Sequence, residues 1–115
     1  MAVAAVRVLV ALEPLMYRQV LAFYFRQERP LSEVVLTSPR TLKAEAKRKK
    51  PHLIISNEVP PELKEMSFWV EVRSNEGLVA TIKADGYSTT IDDVSLQELL
   101  AVVDKAEEQL AHDEA

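Results

Sequence analysis

Three short runs of β-branched and aliphatic residues, Arg7 to Leu12, Glu33 to Thr37 and His52 to Ser56, alternate with two segments of helical spacing. In the first segment, Leu15 to Arg26, the residues Met16, Val20, Phe23 and Tyr24 recur at helical intervals with Leu15 and Leu21 beside them, until Glu28-Arg29-Pro30 closes it. In the second, Ser38 is placed as an N-cap and Pro39 as the first helical residue; the segment runs through Leu42, Ala44 and Ala46 to Lys50, where Pro51 stops it. A Pro-containing loop from Asn57 to Met66, with one helical turn at Glu62 to Met66, leads to a fourth strand, Ser67 to Val72. Strand–helix alternation of this kind demands crossover connections, and crossovers make parallel sheets. The expected architecture is α/β, a flavodoxin-like three-layer sandwich with parallel strand order 2-1-3-4.

The period then changes. Leu78 to Lys83 and Ser88 to Asp92 alternate about Ala84-Asp85-Gly86-Tyr87, and Asp-Gly between alternating runs predicts a two-residue hairpin. That turn sets Ile82 against Thr89 and Ala80 against Ile91, with Leu78, Ala80, Ile82, Tyr87 and Ile91 on one face. A hairpin thus stands where such a sandwich has its fourth helix. Ser95-Leu96-Gln97-Glu98 is a capping box, with Val94 and Leu99 as its staple. The helix it opens carries the stripe Leu96, Leu99, Leu100, Val103, Ala106 and Leu110.

Composition removes several classes of function. The 115 residues suit one domain, read as 1–111 with a fraying tail at 112–115. No cysteine is present, so disulfides, thiolate catalysis and cysteine metal sites are excluded. Two glycines cannot build a glycine-rich phosphate cradle, and both fall late, at Gly77 and Gly86. Two isolated histidines, His52 and His112, predict no metal site. The net charge of −4 argues against broad phosphate binding. The cationic run Lys43, Lys47, Arg48, Lys49 and Lys50 reads as a complement to a helix C-terminus, and nucleic acid is not an expected partner. The N-terminus lacks a basic region and its apolar run breaks at Arg7, so it reads as a first strand, not a signal peptide; with no membrane-length apolar run, the expectation is a cytoplasmic protein.

Arg7-Val8-Leu9-Val10-Ala11-Leu12-Glu13-Pro14-Leu15-Met16 resembles the opening of a bacterial response-regulator receiver domain, where a short apolar strand ends in acids and a Pro-Leu pair leads into the first helix. Pro51 to Pro61 is similar to the third strand of that family, which ends in the phosphoacceptor Asp with a Pro four positions later. Ser95 to Leu100 is similar to the start of its closing helix. The resemblance implies phosphoryl transfer to a carboxylate, with Mg²⁺ on the acid pair and a hydroxyl and a Lys on the phosphoryl group. In this chain the acceptor position holds Asn57, whose amide forms no acyl phosphate, and Leu12-Glu13 supplies one acid, leaving Glu13 as a weak metal candidate. Ser74 and Lys83 stand for the hydroxyl and Lys positions. The resemblance therefore implies a degenerate receiver, not phosphorylated, with a residual pocket of Glu13, Asn57, Ser74 and Lys83 and no cofactor.

Against these roles stand plainer ones: Glu13 as a helix-leading acid, Asn57 as an Asx turn, Ser74 and Lys83 as loop and hairpin residues. No nucleophile–base pair is visible, so an enzyme is not expected. Adjacent Phe68 and Trp69 point to opposite sheet faces, which predicts one aromatic to be covered by a helix or a partner. Phe68, Trp69, Val79, Tyr87 and Leu100 are the interface candidates. The expected function is protein–protein interaction in bacterial signalling or transcriptional control, with an unidentified regulatory partner and a homodimer formed through the fourth strand, the hairpin edge and the last helix. The alternative is a small-ligand or phosphate sensor using the residual pocket.

Overall fold

The computed structural model describes residues 5–74 and 77–113. Its elements are β1 (Arg7–Ala11), α1 (Leu15–Glu28), β2 (Glu33–Leu36), α2 (Leu42–Lys49), β3 (Leu53–Ser56), β4 (Phe68–Ser74), β5 (Leu78–Ala84), β6 (Tyr87–Ile91) and α3 (Leu96–Asp113). One-turn 3-10 helices at Pro39–Thr41 and Pro61–Leu63 precede α2 and β4. All six strands form one mixed sheet of order β2-β1-β3-β4-β5-β6. The strands β2, β1, β3 and β4 are parallel, in the expected order, and β4-β5-β6 is an antiparallel meander.

The flavodoxin-like sandwich expected from the sequence is not formed. The described residues hold three α-helices, where a flavodoxin-like fold carries five, and half of the six-stranded sheet is meander. Two local departures account for this. The β3–β4 connection holds a single 3-10 turn, Pro61–Leu63, where a crossover helix would stand. After β4 the chain reverses directly into β5 instead of crossing over, and Gly77 takes φ +126° in that connection. Residues 75 and 76, in the same connection, lie outside the described residues.

Two cores flank the sheet. On one side α1 and α3 bury Leu21, Ala22, Phe25, Leu99, Val103 and Ala106 against Val8, Val10, Leu53, Ile55, Val70 and Ala80. On the other, α2 and the 61–66 turn cover Leu9, Ile54 and Trp69 with Leu42, Ala46, Val59, Leu63 and Met66. The capping box forms as the sequence predicts: the Ser95 N–H donates to Glu98 Oε1 (2.9 Å) and the Glu98 N–H to Ser95 Oγ (3.1 Å). Arg29, just past α1, donates in bidentate fashion to Asp104 of α3 at 2.7 and 2.9 Å. That hydrogen-bonded pairing raises the guanidinium pKa above its ordinary value. The predicted tail stays helical through Asp113, while 114 and 115 lie outside the described residues.

Within α1 the buried side differs from the stripe the sequence suggested. Leu21, Ala22 and Phe25 face the core, whereas Met16, Val20 and Phe23 are 62%, 49% and 68% exposed. At 100° per residue these three, with Gln27, fall on the side of the helix opposite the core. Helix α1 is thus apolar on both faces.

Candidate functional site

Strands β1 and β3 and the chain end of β4 meet at one rim of the sheet. In α/β sheets this carboxyl end is where loops gather around ligands. An open cleft of about 760 Å³ lies there, lined by Glu13, Lys43, Asn57, Glu58, Arg73 and Ser74 among others. Three of the four residues expected in the pocket, Glu13, Asn57 and Ser74, are therefore brought together.

Lys83 is not among them. It pairs with Trp69 at the start of β4, toward the opposite rim, and its Nζ donates to the Lys64 carbonyl at 3.0 Å. The reason is direction. A parallel fifth strand would end at the cleft, but β5 is antiparallel and runs away from it.

Asn57 is the best-connected residue in the cleft. Its Oδ1 accepts the Glu13 N–H at 2.7 Å. Its Nδ2 donates to the Val72 carbonyl at 3.1 Å and, at greater length, to the Glu13 carbonyl at 3.4 Å. One amide thus ties the segments after β1 and β3 to β4. The role requires both a donor and an acceptor, and a carboxylate has no donor. Beside it, Ser56 Oγ donates to the Glu58 carbonyl at 3.2 Å and closes the local turn.

Several of the charges nearby are paired. Glu13 lies 3.9 Å from the Arg18 guanidinium, which also donates to the Thr37 carbonyl at 2.6 Å. A lone carboxylate facing a guanidinium is a poor seat for a hard divalent cation. Among the described residues, no group of three His, Asp or Glu is placed to hold a metal. Glu71, only 3% exposed, accepts the Val59 N–H at 2.8 Å and pairs with Lys64 (3.3 Å) and Arg73 (3.4 Å). Across α2, Glu62 is held below the usual carboxyl range, first by its own backbone N–H and then by Lys43, 3.4 Å away.

The expected interface residues disperse. Phe68 and Trp69 do face opposite sides, but both are buried, Phe68 under α3's core and Trp69 under the 61–66 turn. The Trp69 indole donates to the Lys64 carbonyl (3.1 Å), and the Lys64 ammonium lies 5.3 Å from its ring centre. Leu100 is buried and Val79 half-buried. Tyr87 alone stands out, at 80% exposure.

Sequence reasoning missed Glu71, Arg18 and the outer face of α1. Each leaves a trace: an acid in the run Phe-Trp-Val-Glu-Val, an Arg among apolar helix residues, and more apolar residues in α1 than one stripe needs. The outer stripe Met16, Val20, Phe23 and Gln27 follows 4-3-4 spacing, the seam of a two-helix contact. It borders an apolar cleft of about 280 Å³ between α1 and α3, lined by Leu12, Met16, Val20, Leu78, Leu96 and Leu99 among others.

Within the described residues no helix is long and apolar enough to cross a membrane. Compared with family models, curated proteins and solved structures, the chain matches none of them.

Proposed function

We propose that this chain is a non-catalytic protein–protein interaction module, of the kind used in signalling or transcriptional control, and that the outer face of α1 docks a helix of its partner. The observation that carries this reading is the exposed seam of Met16, Val20 and Phe23 on a helix whose opposite side is already core. A second apolar stripe left in solvent, on a helix whose first stripe is already core, is the kind of surface that a partner covers. Knob-and-hole contact along two turns fits an amphipathic helix. The adjacent cleft between α1 and α3 has room for one bulky apolar side chain of that helix.

The resemblance to receiver domains supports the reading in one respect. The position that resembles their phosphoacceptor is Asn57, and its amide is committed to three backbone groups. The ligand-sensor alternative has less behind it, because Lys83 stands away from the cleft and Arg73 is engaged by Glu71.

A photo-crosslinking residue at position 23 tests the proposal in the producing cell. The expected result is one dominant adduct at 23, absent from a control at the exposed α2 position Lys47. The purified adduct partner should then bind the native chain and lose about tenfold or more in affinity for the Phe23→Glu variant, a loss in line with removal of a buried aromatic anchor. Equal, scattered labelling at 23 and 47 would reject the α1 surface.

A further inference from the structure

The sequence points self-association to the fourth strand, the hairpin edge and the last helix; Phe68, Trp69 and Leu100 are buried by the fold, Val79 is half-buried, and Tyr87, on the outer strand of the hairpin, is exposed. Of these surfaces the hairpin edge is the one left open. Strand β6, Tyr87-Ser88-Thr89-Thr90-Ile91, is the last strand, and among the described residues only β5 pairs with it. It carries no charge, no proline and no bulge, the devices that ordinarily blunt an edge. Four of its five residues are exposed, and Ile91 is half-buried.

Hairpin geometry fixes which backbone groups are free. A two-residue turn makes Ala84 and Tyr87 the hydrogen-bonded pair that closes it, and the pairs then alternate. Tyr87, Thr89 and Ile91 therefore turn their N–H and C=O groups toward β5, and Ser88 and Thr90 aim theirs at the open edge.

We infer that two copies of this chain join by antiparallel pairing of β6 with β6, about a two-fold axis through Thr89. The register follows from the free groups. Ser88 of one copy and Thr90 of the other exchange both N–H···O bonds, and the symmetric pair repeats this, giving four bonds. Thr89 then faces Thr89 as a non-hydrogen-bonded pair. Tyr87 faces Ile91 at each end, an aromatic–β-branched pair of the kind that stabilises sheets. The strand is thus its own complement, as an isologous contact requires. Asp85 and Asp92 fall outside the five paired residues. The product is a continuous twelve-stranded sheet, with the two α1 helices far from the junction and their outer faces free.

Five residues per strand place the contact at the small end of specific interfaces, below about 1,200 Å² in total, the size class of weak and transient contacts. Sedimentation equilibrium of the full chain from low to high micromolar concentration reads it. The native chain should approach twice 12.9 kDa at the upper end. Thr89→Lys and Thr89→Glu each place like charges face to face and should weaken the dimer about tenfold, while an equimolar mixture of the two restores it. Ser88→Pro, which removes only an outward N–H, should dissociate it as well and carries the test if the Thr89 variants do not fold. A native chain that stays monomeric overturns the inference. So does a dimer that survives Thr89→Lys or Ser88→Pro, or a mixture that remains monomeric. Phe23→Glu should leave the dimer intact; if it dissociates the dimer while Thr89→Lys does not, the copies meet through α1 instead.

Discussion

Strands β2 and β6 occupy the two edges of one sheet, and the chain finishes them in opposite ways. In β2 the Glu33 N–H bonds to Val6 and the Thr37 N–H to Val10, so Val34 and Leu36 point their backbone groups outward. The Val34 carbonyl is then capped by the Arg26 guanidinium at 2.9 Å. The strand is four residues long and starts with an acid. Strand β6 is longer and uncharged, and no cap on it is found among the described residues. The difference follows from connectivity. In the parallel half, α1 leads directly into β2, and Arg26 sits eight residues before the carbonyl it covers. A meander has no crossover helix, and among the described residues no side chain caps the outer side of β6. The half of the sheet built by crossovers closes its own edge, and the half built by hairpins leaves its edge open.

Removing the clamp that unites the parallel half should have the largest effect. Asn57→Asp takes away the donors to Val72 and Glu13 and sets a carboxylate against two carbonyl oxygens. A loss of about 2–3 kcal/mol in denaturant unfolding is expected. The same variant should gain no stable acyl phosphate on treatment with acetyl phosphate, because the position is built for an amide.

On the other side, Gly86→Val addresses the turn that presents β6. Asp85 and Gly86 both have positive φ, 51° and 87°, as a type I′ turn requires. A Cβ at Gly86 meets nothing within 4 Å, so the penalty is backbone strain alone. It should be about 1–2 kcal/mol, with dimerisation weakened because the turn sets the edge. The smallest expected change is from Arg26→Ala, which uncaps Val34. It should lower stability by about 1 kcal/mol and make the β2 edge resemble β6, read as mass growth beyond the dimer in sedimentation.

Much of the fold was legible because its signals are local. The Asp85-Gly86 turn fixed the β5–β6 register residue by residue, and the capping box at Ser95 and Glu98 formed as expected. The parallel strand order followed from alternation of period. What failed was anything set by the direction of a later strand. Lys83 was placed in the cleft by analogy with a parallel fifth strand, and an antiparallel β5 carries it to the other rim. The α1 helix was misread for another reason. Spacing detects that a stripe exists but does not say which of two stripes faces the sheet; Leu21, Ala22 and Phe25 fill the space over Val8 and Val10, and Met16, Val20 and Phe23 are left outside. The sequence predicts that one of Phe68 and Trp69 is covered by a helix or a partner; the 61–66 turn covers Trp69, a contact between segments that no periodicity encodes.

Amide hydrogen exchange at residue resolution, followed as the chain is concentrated, tests the edge account most directly. The Ser88 and Thr90 N–H groups should exchange freely in dilute solution and become protected together as the dimer forms, while the Tyr87 and Thr89 N–H groups are protected throughout by β5. Ser88 and Thr90 amides that exchange at the same rate at every concentration, in a sample that sedimentation shows to be dimeric, would contradict it.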